Sequence, residues 1–114
     1  MHRLYTTSVA SVFVHYVAKL ERKGRTREEL DAVVTWLTGL SPEQVQQHLD
    51  AGTTFEDFFD AVELNPNVSL ITGSVCGVKV QEVEDPLMRR IRYLDKLVDE
   101  LAKGRPLEKV LRSS

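Results

Sequence analysis

A local phrase recurs three times in this chain: a glycine, then Ser or Thr two residues on, then an acid or amide three further. It reads Gly24-Arg25-Thr26-Arg27-Glu28-Glu29, Gly39-Leu40-Ser41-Pro42-Glu43-Gln44 and Gly52-Thr53-Thr54-Phe55-Glu56-Asp57. Each copy predicts one helix ending and another beginning. Glycine closes a helix in the left-handed conformation without steric cost. The hydroxyl then accepts from an orphan N–H of the new helix, and the residue three on reaches back to complete a capping box. Gly104-Arg105-Pro106 is a fourth variant, in which proline suits a first helical position. Punctuation of this kind dictates a chain of short-linked helices.

Apolar spacing fills in the elements. Val9, Val12, Phe13, Tyr16, Val17 and Leu20 form one stripe at helical intervals. Thr6 or Thr7 is the expected cap for this first helix, and the basic last turn of Lys19, Arg22 and Lys23 complements its dipole. A second helix, from Thr26 to about Thr38, would bury Leu30, Val33, Val34 and Leu37. A short third, from Ser41 to about Ala51, turns Val45 and Leu49 inward. A fourth opens at Thr54 with Phe55, Phe58, Phe59 and Val62. Asp85-Pro86 starts a long helix to Lys103, with Leu87, Ile91, Leu94, Val98 and Leu101 on one face. A last short helix follows Pro106. Tyr93, Leu97, Met88 and Val98 widen the long helix's apolar face, so it is either central to its own fold or shared with a second copy.

The stretch from Asn67 to Glu84 is ambiguous. Val75, Val78, Val80 and Val83 with two glycines give it strand propensity. Cys76, Val80 and Val83 nevertheless fall at helical spacing, in phase with Leu87, Ile91 and Leu94. A helix bent near Asp85-Pro86 is favoured, with a short hairpin or edge strand as the alternative.

The net charge of −2 conceals a segregation. Residues 1–27 carry six basic groups against Glu21 alone, whereas residues 28–78 hold nine acids and no Lys or Arg. Such asymmetry can guide docking or self-association, or can be consumed inside the fold. At 114 residues the chain suits one domain, and no apolar run nears the roughly 20 residues of a membrane span. Its first residues make a poor signal peptide. The single cysteine excludes an internal disulfide, which fits a reducing compartment.

Residues able to carry chemistry are sparse. Cys76 lies among valines and reads as a buried, inert thiol rather than a nucleophile paired with His2, His15 or His48. No His-x-x-x-His, Glu-x-x-His or paired-cysteine spacing offers a metal site. Gly73-x-x-x-Gly77 lacks the frame of a phosphate loop. Helices two and three have helix-turn-helix proportions, but residues 41–51 carry only Glu43 and Asp50 as charges, which repels phosphate.

Several phrases resemble a family of small bacterial proteins, domain of unknown function 2200. They are Ala18-Lys19-Leu20-Glu21-Arg22-Lys23-Gly24-Arg25-Thr26, Trp36-Leu37-Thr38-Gly39, Leu70-Ile71-Thr72-Gly73, Val75-Cys76-Gly77-Val78, Asp85-Pro86-Leu87-Met88 and the run from Ile91 to Gly104. The resemblance implies a bacterial cytosolic protein and brings no activity, cofactor or site.

The sequence thus predicts an all-α, compact bundle of five to six helices with a long central C-terminal helix, in a single domain over 1–114. The alternative is α+β, with a hairpin or edge strand within 68–84. No catalytic site, cofactor or metal is expected. The expected role is that of a cytoplasmic binding module, a homodimer or a partner for another protein, with no membrane contact. Its expected interaction surface is Arg22, Lys23, Arg25 and Arg27 at one corner with Arg89, Arg92, Tyr93, Lys96 and Leu97 on the long helix. A nucleic-acid-associated protein using the basic clusters 19–27 and 89–96 is the alternative.

Overall fold

Three helices begin where the recurring phrase places them. The computed structural model describes residues 6–75 and 77–111, and the expectations attached to His2 and Cys76 lie outside these. Helix α2 (Arg27–Thr38) starts with a full capping box between Thr26 and Glu29, and α3 (Pro42–Ala51) with one between Ser41 and Gln44. In α4 (Phe55–Asp60) the Thr54 hydroxyl accepts from the Asp57 N–H. The first helix, α1 (Val9–Arg22), is capped by Ser8 rather than by Thr6 or Thr7. Its end closes on Gly24, where Arg25 N–H reaches the Leu20 carbonyl at 2.9 Å and Gly24 N–H the Glu21 carbonyl at 3.0 Å.

Helix α5 (Pro86–Ala102) is capped by the Asp85 carboxylate, which accepts from Met88 N–H. Its 17 residues span about 26 Å at the helical rise. A four-residue α6 (Leu107–Val110) follows the Gly104 stop. One contiguous core joins the buried stripes: Val9, Phe13, Tyr16 and Leu20 of α1, Leu30, Val33, Val34 and Leu37 of α2, the three phenylalanines of α4, and α5. The long helix packs against α1, α2, α4 and α6, so it is the element around which the others close. Its buried apolar positions are Ile91, Leu94, Leu97, Val98, Leu101 and Ala102. That breadth resolves the two uses of a widened face: it is spent within the chain.

The fold is mostly α, but the favoured helix between Asn67 and Glu84 is absent. This stretch instead runs through a 3-10 turn (Pro66–Leu70), an antiparallel pair β1 (Ser74–Val75) and β2 (Val78–Lys79), and a second 3-10 turn (Val80–Glu82). Ser74 lies opposite Lys79, and Val80 N–H closes the hairpin on the Gly73 carbonyl at 2.9 Å. The hairpin alternative therefore describes this segment. Gly73 and Gly77 both hold positive φ, 103° and 77°, a conformation no helix can include. Gly73 is also a close approach, because a Cβ there would lie 3.3 Å from the Lys96 side chain. Val80 is fully buried by the turn, so its helical phase with Ile91 is a coincidence of burial rather than of secondary structure.

Candidate interaction surface

The polar side of α5 is a chain of ion pairs. Asp95 accepts from the Tyr16 hydroxyl of α1 and from Arg92 Nη1, the latter at 3.1 Å. Asp99 lies 3.4 Å from Lys19 Nζ and 2.9 Å from Lys103 Nζ. Glu100 is buried, and sits 3.2 Å from Arg105 Nη1 and 3.9 Å from Lys96 Nζ. All three carboxylates of the helix thus face cations.

The remaining basic groups of α5 tie it to its neighbours. Arg89 Nε donates to the Val83 carbonyl at 2.7 Å, Arg90 Nη1 to the Phe59 carbonyl at 3.1 Å, and Lys96 Nζ to the Ser74 carbonyl at 3.1 Å. These donors cap chain ends and turns, which is structural work. A phosphate would have to compete with every one of them. The basic groups of the first cluster are engaged in the same way. Lys19 turns toward Asp99, Arg25 pairs with Glu29 at 2.5 Å, and Arg27 pairs with Asp31 at 2.9 Å. Only Arg22 and Lys23 of the expected set are exposed with no ion pair among the described residues.

Two expected surface residues are withdrawn from solvent, one wholly and one in part. Leu97 is 0% exposed and belongs to the core, so it offers nothing to a second molecule. Tyr93 is half-buried and packs against that core. The sequence shows that the face of α5 is wide, but not that α2 and β1 cover the extra width.

Burial would raise the Asp99 carboxyl, but hydrogen bonding and charge attraction from Lys103, then Lys19, outweigh it and hold the group below the ordinary carboxylate range. A carboxyl depressed in the folded state contributes stability that is complete above its unfolded value, near 3.9, and is lost as pH falls through the folded value. Asp99→Asn should therefore cost about 0.5–1 kcal/mol at pH 7, since both ammonium groups remain partly solvated. The gap between variant and native protein should close on acidification below about pH 4. Urea melts at pH 7 and pH 3 check this, and a pH-independent gap would show that charge is not the cause.

The apolar surface lies elsewhere, between α1 and α3. A groove of ≈ 490 Å³ is lined by Ala10, Phe13, Val14, Val17 and Ala18 of α1, with Leu49 of α3. Its rim carries Glu21, Arg27, Gln46 and Asp50. Arg27 forms part of the wall: its guanidinium carbon lies 4.7 Å from the centre of the Phe13 ring, and Nη2 reaches Gln46 Oε1 at 3.4 Å. Val14 stands 66% exposed. A shallower depression beside Trp36 is bordered by Glu28, Asp31, Thr35 and Pro42, and its Asp31 is already paired with Arg27.

Of the groove residues only Arg27 was in the expected surface, yet a signal for the apolar ones is present. Ala10, Val14, Val17 and Ala18 are spaced four, three and one apart, which places them on one side of a helix. The stripe of Val9, Phe13, Tyr16 and Leu20 runs along the adjoining face, and Phe13 borders both. Reading the apolar positions of α1 as a single stripe hides that the helix is apolar on two sides.

Neither described histidine is among the groove residues, whose carboxylates are Glu21 and Asp50. His15 is exposed on α1, and His48 is engaged structurally, with Nδ1 3.1 Å from Thr53 Oγ1 and its ring edge-on to Phe58 at 5.3 Å. Among the described residues no three His, Cys, Asp or Glu side chains are placed to share a metal ion, and no helix is long and apolar enough to cross a membrane.

The family model DUF2200, described as an uncharacterized protein conserved in bacteria, matches residues 3–112. The crystal structure of an uncharacterized protein, SP1917, is similar over 97% of this chain and 93% of its own, with 44% identity and a TM-score of 0.91. Comparison with curated proteins returns no match.

Proposed function

The chain belongs to the bacterial DUF2200 family, and from its geometry we propose that it is a small cytoplasmic interaction module, one domain over 1–114, that docks through the α1–α3 groove. One observation carries this reading. Val14, 66% exposed, projects from a helix whose adjoining face already supplies the core, beside a groove lined by apolar side chains. Folding does not need that second apolar side, and exposed apolar surface rimmed by polar groups is a mark of recognition. The groove's volume is also that of a ligand or side-chain site. The nucleic-acid reading loses support because the cations of α5 are held by carboxylates and carbonyls of the same chain.

Anilinonaphthalene sulfonate, an apolar anionic probe, tests the groove. In an amide-shift titration of the native protein, Ala10, Val14, Ala18 and Leu49 should move first. Val14→Asp should abolish that response while leaving stability within about 0.5 kcal/mol, as for other exposed positions. Shifts that begin on another face and ignore Val14→Asp would refute the reading.

A further inference from the structure

The geometry points to Glu100 as a latch that couples two outer pieces of the fold, so that loosening the β1–β2 hairpin loosens α6 and the reverse. Both pieces pack on α5. Val75 and Val80 anchor the hairpin and the turn after it in the core, and Val110 anchors α6. Each piece is small, with two-residue strands in one and four helical residues in the other. Short outer elements lie at the low end of local stability, so their polar ties weigh heavily.

One ammonium stands between two acceptors. Lys96 Nζ lies 3.1 Å from the Ser74 carbonyl of β1 and 3.9 Å from Glu100 Oε2. The first separation is a hydrogen bond, and the second is too long for one. Glu100 Oε2 accepts instead from Arg105 Nη1 at 3.2 Å, while Arg105 N–H donates to the Glu100 carbonyl at 3.1 Å. Arg105 stands in the link between α5 and α6. The Lys96 and Glu100 side chains are withdrawn from water, at 13% and 8% exposure, so charge attraction between them is weakly screened.

Sharing fixes the sign of the coupling. If α6 lifts and takes Arg105 into solvent, a buried carboxylate loses a cation, which is costly. Lys96 then gains by moving toward Glu100 and away from Ser74, and the hairpin loses its tie to α5. If the hairpin lifts first, Lys96 is free to pair with Glu100, and Arg105 is needed less. Water reaching the pair weakens it further. Opening either piece thus favours opening the other, and the factor is the same in both directions. Joint opening would uncover the beds of Val75, Val80 and Val110 together.

Amide hydrogen exchange of the full chain in dilute urea tests the latch. The Val80 N–H, bonded to the Gly73 carbonyl, reports the hairpin, and the Leu111 N–H, bonded to the Leu107 carbonyl, reports α6. Both should exchange with a smaller urea slope than the Leu97 N–H in the middle of α5, which opens with the whole fold. Arg105→Met, on the α6 side, should speed Val80 exchange on the order of fivefold. Gly73→Ala, strained at φ 103° with its Cβ 3.3 Å from Lys96, should speed Leu111 exchange in return. In a Glu100→Gln background, adding Arg105→Met should leave Val80 unchanged. A cross-effect missing from either single variant overturns the proposal. So does one that persists in Glu100→Gln, or a Val80 N–H that exchanges only with the urea slope of Leu97.

Discussion

Leu94→Ala should cost about 2–5 kcal/mol, through lost transfer energy plus the cavity left behind. Leu94 is 1% exposed on the buried face of α5, and α5 packs against four other helices. Its neighbours belong to different elements, so they cannot close the void without moving whole helices, which places the cost toward the upper part of that range. The loss compares with a total stability of about 5–15 kcal/mol for a typical domain. A urea melt of the variant should show a midpoint well below that of the native protein at an unchanged slope. A near-neutral result would mean that α5 is peripheral.

Leu97→Glu should be more severe, and it separates two views of the same residue. In a subunit interface a glutamate would break a dimer and leave a folded monomer. Leu97 is instead fully buried within one chain, inside its hydrophobic cluster. An uncompensated buried charge costs several kcal/mol, on top of the lost apolar contact. The variant should be unfolded or close to it at 25 °C, with lost helical circular dichroism. Tyr93→Glu, one turn away and half-buried, should be milder. A cooperative melt for Leu97→Glu near that of the native protein would place Leu97 on the surface.

Much of this fold was legible because its instructions are local. A capping box is satisfied within four residues, so Thr26 and Ser41 mark their helix starts whatever surrounds them. The span of α5 is equally local, fixed by Asp85-Pro86 and Gly104. The segment 66–83 was misread because its structure is decided at long range. Burial of Val80 and the bond from Lys96 of α5 to the Ser74 carbonyl fix it, and valine spacing cannot distinguish a buried turn from a helix. The engagement of the basic residues was hidden for a related reason. Cationic side chains are visible in a sequence, whereas their partners, such as the Phe59, Val83 and Ser74 carbonyls, are not. Val14 was hidden differently: it stands outside the apolar stripe of α1, so the period that marks the core passes it by.

The central place of α5 has a consequence for synthesis. Its contacts with α1, α2 and α4 all run backward along the chain, and its last buried residues are Leu101 and Ala102. The stripes of the earlier helices therefore wait for a partner that leaves the ribosome late. At bacterial elongation rates the wait between α1 and the end of α5 is on the order of 10 s. The nascent chain spends that time as a string of amphipathic segments without a core. Any product truncated before the end of α5 would expose Phe55, Phe58 and Phe59 together, and quality control would recognise it as unfinished.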